Sequence, residues 1–109
     1  MVREMDKVAS LKEILEQDAT NAFARYGLAM EYAGSGDTAA ALAEFDRLLR
    51  EHPEYTAAYF MAAQTLAKAG REAEAKQRLV DGIGCARRSG NQHAQREMQA
   101  MLDEMEIPE

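Results

Sequence analysis

Slid along itself by about 34 residues, the sequence superposes Ala24 on Ala58, Ala29 on Ala63, Ala33 on Ala67, Gly36 on Gly70, Ala39 on Ala73 and Ala41 on Ala75. Every identity is a small residue. Two helices joined by a short turn can approach closely only where side chains are small, with larger apolar groups interdigitating around those contacts. A period of this length is that of one helical hairpin, so the chain is constrained to a stack of hairpins. Composition agrees once alanine is counted. Leu, Ile, Val and Phe make up only 18 of 109 residues, a level that with high net charge can signal disorder. Alanine supplies another 21, and it is the best helix former.

Turn signals cut the chain into helix-length pieces at Asp18-Ala19-Thr20-Asn21, Gly34-Ser35-Gly36-Asp37, His52-Pro53-Glu54, Ala69-Gly70 and Ser89-Gly90-Asn91. Six helices are predicted. The first runs from about Asp6, its expected cap, to Gln17, with Val8, Leu11, Ile14 and Leu15 along one stripe. Asp37 is the expected N-cap of the third. The fourth runs from Thr56 to Ala69 without an internal Gly or Pro. Short connections make neighbours antiparallel, and no segment alternates with the period of a strand. By offset Leu11 and Leu15 correspond to Phe45 and Leu49, so the first helix reads as the second half of a repeat. The last, from Asn91 to about Glu106, sets Ala94, Met98, Met101, Leu102 and Met105 on one face and reads as a cap.

These residues resemble the tetratricopeptide repeats, whose pattern is W-x₂-L-G-x₂-Y, then A-x₃-F, then P. The first copy supplies Leu28-Ala29-x₂-Tyr32, Ala41-x₃-Phe45 and Pro53, with Arg25 in place of the Trp and Ala29 in place of the Gly. The second supplies Tyr59, Ala62-Ala63-x₂-Leu66, Gly70 and Ala75-x₃-Leu79, with Arg87 where the proline belongs. That missing proline predicts a longer helix after Gly70. The expected architecture is all-α, one domain over 1–109: an N-terminal capping helix (1–21), two repeats (22–55 and 56–89), and a C-terminal capping helix with an acidic tail (90–109). The resemblance implies a right-handed superhelical stack of antiparallel hairpins with a concave face.

Charge and motifs exclude several functions. With 13 Lys+Arg against 19 Asp+Glu, the net charge of −6 opposes binding to nucleic acid or anionic lipid. No apolar run is long enough for a membrane span, and charges stud Met1 to Glu16 where a signal peptide needs an apolar stretch. A soluble, cytoplasmic, mature chain is expected, with the single Cys85 unable to form an internal disulfide. His52 and His93 lie in different segments, without a Cys or second His at helical ligand spacing. Ser10, Ser35 and Ser89 read as capping or turn serines. Gly82-Ile83-Gly84 lacks the preceding strand of a phosphate loop and reads as close helix approach or a kink. Cys85 reads as a small buried apolar residue. Asp103, Glu104, Glu106 and Glu109 read as solvated charge rather than a catalytic pair. No enzyme activity, cofactor or metal is expected.

What remains is a second apolar stripe. Ala24, Leu28 and Tyr32 suit packing of the second helix against its hairpin partner, while Phe23, Tyr26 and Met30 recur at i, i+3, i+7 on another side. Phe60 and Gln64 continue that stripe in the next copy. First helices line the concave groove in tetratricopeptide repeats, so the resemblance makes Phe23, Tyr26, Met30, Phe60 and Gln64 a groove floor suited to an apolar peptide or amphipathic helix of a partner protein. Family members that grip a C-terminal carboxylate use Lys, Asn and Arg there, which this chain lacks. Two other readings stay open: the same patch packs on the terminal helices, or it is buried between copies in an oligomer or assembly scaffold.

Overall fold

The computed structural model describes residues 4–108. Within them are six α-helices and no strand: α1 (Glu4–Gln17), α2 (Ala22–Gly34), α3 (Thr38–Glu51), α4 (Thr56–Lys68), α5 (Glu72–Ser89) and α6 (Gln92–Glu106). The chain divides into two compact units, Met1–His52 and Pro53–Glu109.

In the first unit α2 packs on both α1 and α3. Asn21 opens α2 by accepting the Ala24 N–H at 2.9 Å, and Asp37 opens α3 by accepting the Ala40 N–H at 3.2 Å, each satisfying an orphan donor of the first turn. Gly36 makes the turn between them at φ +84°, in the left-handed region that glycine enters without strain. α1 starts at Glu4, so Asp6 lies inside the helix instead of capping it, and its side chain falls outside the described residues. Ser10 lies in the middle of α1, not at its start. The stripe of Ala24, Leu28 and Tyr32 also differs from expectation. It closes with Leu15, Val8 and Leu11 of α1 rather than against α3. The reason is that α2 is gripped from two sides, and the side turned to α3 is led by Arg25 and Tyr26.

Arg25 is only 5% exposed. Its Nη1 donates to Glu44 Oε1 at 2.6 Å, its Nη2 donates to the Ala19 carbonyl at 2.8 Å, and its Nε lies 3.6 Å from Glu51 Oε1. A buried guanidinium requires such compensation, since an unpaired buried charge is strongly destabilising. One residue thereby ties the turn before α2 to the length of α3.

In the second unit α5 packs on α4 and α6, and α4 also touches α6. Gly70 repeats the turn of Gly36, at φ +78°. Asn91 repeats the cap of Asn21, accepting the Ala94 N–H at 3.0 Å. α5 is the longest helix, at 18 residues, as the absent proline foretells. Met98 on α6 is fully buried, and Ala94, Met101, Leu102 and Met105 on the same helix are half-buried. Gly82 explains how three helices meet. A Cβ there would lie 2.5 Å from Met98 Sδ and 2.6 Å from Tyr59 Cβ, a separation that real side chains do not tolerate. Cys85 is buried, with its Sγ 3.2 Å from Thr56 Oγ1.

Gly82→Ala therefore overpacks the α4, α5 and α6 junction and costs about 1–3 kcal/mol, whereas Gly84→Ala meets only the movable Arg88 Nη1 at 3.3 Å and gains about 0.5–1 kcal/mol of helix propensity. Urea midpoints moving in opposite directions check this pair. Glu44→Ala leaves the Arg25 guanidinium without its shortest partner and costs about 2–3 kcal/mol by the same measurement.

Candidate functional site

α2 and α4 carry the five residues expected to meet a partner, three in the first unit and two in the second. On α2, Phe23 stands in the first turn, fixed by the Asn21 cap one residue before Ala22, and is 79% exposed. No other large apolar residue among those described is as open. Tyr26 and Met30 are half-buried. The Tyr26 ring meets the fully buried Phe45 edge-on, at 6.3 Å between centroids and 64° between planes, the geometry that ring quadrupoles favour. Tyr26 therefore serves the α2–α3 packing with one edge. On α4, Phe60 and Gln64 are half-buried and one helical turn apart.

The two helices are anchored differently. Tyr55 gives α4 no side-chain cap. Instead the Tyr59 hydroxyl donates to the Pro53 carbonyl at 2.6 Å, tying the helix to the segment that precedes it and orienting the neighbouring Phe60. Burial raises the Tyr59 pKa above its ordinary value, and the nearby Cys85 and Asp81 raise it further. Just before α5 the Arg71 guanidinium, hydrogen-bonded to Glu74 in the first turn, lowers that exposed carboxyl below its ordinary value.

Other polar groups are occupied in structure. The His52 ring nitrogen Nε2 is 2.7 Å from the Thr20 carbonyl, and His93 Nε2 is 3.1 Å from Glu97 one turn along α6. Ser35 and Ser89 donate to the Tyr32 and Ala86 carbonyls at the ends of their helices. Glu109, expected in the acidic end, lies outside the described residues, and Asp103, Glu104 and Glu106 are exposed. Among the described residues no group of three or more His, Cys, Asp or Glu could hold a metal ion, and no helix is long and apolar enough to cross a membrane.

A feature the sequence did not reveal is a cleft of about 430 Å³ between α1 and the end of α2, walled by Val8, Ala9, Lys12, Glu31, Tyr32 and Ser35. No spacing rule could have found it, because it depends on how two helices are set against each other in space. Its lining mixes the apolar Val8 and Ala9 with the charged Lys12 and Glu31.

Because the folded-state pKa of Tyr59 lies above its unfolded value, its contribution to stability is whole below about pH 10 and is lost as the pH rises further. Tyr59→Phe is expected to lose about 1 kcal/mol at neutral pH with the hydrogen bond, and to show a flatter decline in denaturation midpoint above pH 10.

A tetratricopeptide repeat family model matches residues 32–102. A TPR repeat-containing protein of Pseudomonas aeruginosa is 27% identical over 99 residues, covering 91% of this chain and 94% of that protein. The solution structure of a tetratricopeptide repeat domain protein from Salinibacter ruber superposes with a TM-score of 0.76 and 29% identity, over 79% of this chain and 87% of that one. A solution structure of a Bordetella parapertussis protein gives a TM-score of 0.78 and 28% identity, over 90% and 85% of the two chains. The repeated turn glycines and buried alanines thus have the origin that the matched span indicates: the chain belongs to the tetratricopeptide repeat family, whose members generally act as non-catalytic modules of protein–protein interaction.

Proposed function

We propose that this chain is a non-catalytic binding module that captures an apolar peptide or amphipathic helix of a partner protein through Phe23, Tyr26 and Met30 on α2 and Phe60 and Gln64 on α4. The observation that carries the reading is Phe23. A phenylalanine 79% exposed in the first turn of a well-capped helix does little for its own unit, and aromatic anchors of this kind dominate binding energies where they are covered. The half-buried Tyr26, Met30 and Phe60 suit the same task, since each has part of its surface committed to the fold and part left for contact. Thioether and ring surfaces adapt to apolar partners, with the Gln64 amide able to pair with one backbone group of the ligand. The family membership supplies the general role.

The test is affinity selection of a displayed peptide library on the immobilised chain, followed by titration of a selected peptide against variants. Tyr26→Ala and Phe60→Ala are each expected to weaken binding by a factor of about 30 or more, while costing at most about 2 kcal/mol of stability because neither ring is fully buried. Selected peptides that bind both variants as tightly as the parent chain overturn the reading, as does a selection that yields no apolar peptide.

A further inference from the structure

α1 carries Lys7, Leu11, Ile14 and Asp18 at i, i+4, i+7 and i+11, a single stripe along one side of a helix. Asp18 follows the last residue of α1, yet its N–H still donates to the Ile14 carbonyl at 2.8 Å and so keeps helical register. The stripe flanks the α1–α2 seam. Leu15 and Val8 pack in the seam with Ala24 and Leu28, and Leu11 sits against the Gly27 backbone, where an added Cβ would come within 3.3 Å of its Cδ2. Phe23 lies one turn before Gly27 on the same side of α2. Ile14 is 45% exposed. By the internal offset of about 34 residues, Leu11 and Ile14 are the counterparts of Phe45 and Leu48, both of them 0% exposed. Of these two positions enclosed on α3, the one at Ile14 is open on α1, while Leu11 is half-buried against α2.

We propose that this stripe, with Phe23 and Gly27 beside it, is a self-association face whose occupant is a second copy of the chain related by a two-fold axis. The stripe is its own complement when read in the opposite direction. Laid antiparallel on α1 of a second copy, Lys7 meets Asp18 and Leu11 meets Ile14, and the two-fold repeats both pairings at the other end. Apolar groups fill the middle and opposite charges close each edge. Lys7, 62% exposed, pairs with Glu31 at 3.8 Å within its own copy, and Asp18 Oδ2 accepts from Asn21 Nδ2 at 3.3 Å, so association exchanges exposed contacts at both ends of the stripe.

The same axis suits α2. Lys7 is level with Glu31 and Leu11 with Gly27, so the midpoint of the α1 stripe is level with Arg25 and Tyr26, between Phe23 and Gly27. These two positions are about 6 Å apart along the helix. The axis carries each Phe23 ring toward the Gly27 region of the other copy, where it meets the Leu11 side chain that lies over Gly27. This association shares Phe23 with partner capture, so a dimer that covers Phe23 competes with capture, while Tyr26, Met30, Phe60 and Gln64 lie outside the stripe.

Sedimentation equilibrium of the full chain at low salt, from about 10 μM to 1 mM, tests the face, the range being that of a small two-helix interface. The mass is expected to climb from 12.1 kDa toward twice that value. Ile14→Lys, at an exposed position, is expected to keep the helical circular dichroism and hold the monomer mass. Lys7→Glu should weaken the dimer about tenfold, and Lys7→Glu combined with Asp18→Lys should restore it to within about threefold. The proposal is overturned by a monomer mass throughout, by a dimer that Ile14→Lys leaves intact, or by a swapped pair no stronger than Lys7→Glu alone. Tyr26 and Phe60 are outside the stripe, so failure here leaves the capture experiment unaffected, and the reverse holds too.

Discussion

Close approach of helices at alanine is the constraint on which the rest of this molecule depends. Ala29 and Ala41 in the first unit, and Ala63 and Ala75 in the second, are all 0% exposed. Each pair sits on the two helices of one hairpin, where a larger side chain would push the helix axes apart. Given that spacing, the bulky groups have determined places: Phe45, Leu48, Leu79 and Met98 fill the fully buried volume between helices. Dispersion between such closely set surfaces, together with removal of apolar area from water, is what holds a core so poor in large aliphatic residues.

Much of this was legible from residues alone because the signals are local. The turn glycines, the Asp37 cap, the long α5 and the one-sided methionines of α6 each follow from spacing and backbone preference within a few residues. What was not legible depends on three helices at once. The stripe of Ala24, Leu28 and Tyr32 looks like a hairpin surface by periodicity, yet which neighbour takes it is decided by Arg25, which commits the adjoining side of α2 to Glu44 and Glu51. Gly82 was readable as a point of close approach, but its partners, Tyr59 and Met98, are 23 and 16 positions away in sequence. Of the five residues expected to meet a partner, periodicity located all on α2 and α4, and only the structure separated the open Phe23 from the half-committed Tyr26.

Arg25 also shows how a repeat can depart from its family pattern without losing its form. An aromatic ring at this position would contribute area; the guanidinium contributes direction, through donors aimed at a backbone carbonyl and a carboxylate. Planar forks of this kind fix orientation more sharply than apolar packing does. Replacement of a buried ion pair by apolar groups is often neutral for stability, so the benefit here lies in a defined register between α2 and α3.

The burial of Met98 has a consequence of another kind. Its thioether lies against Gly82 and Tyr59, sealed from solvent while α6 is seated. Oxidants convert thioethers to polar, chiral sulfoxides that cannot return to so narrow a space. Sulfoxide at Met98 would accordingly mark chains in which the last helix has lifted away, until it is reduced.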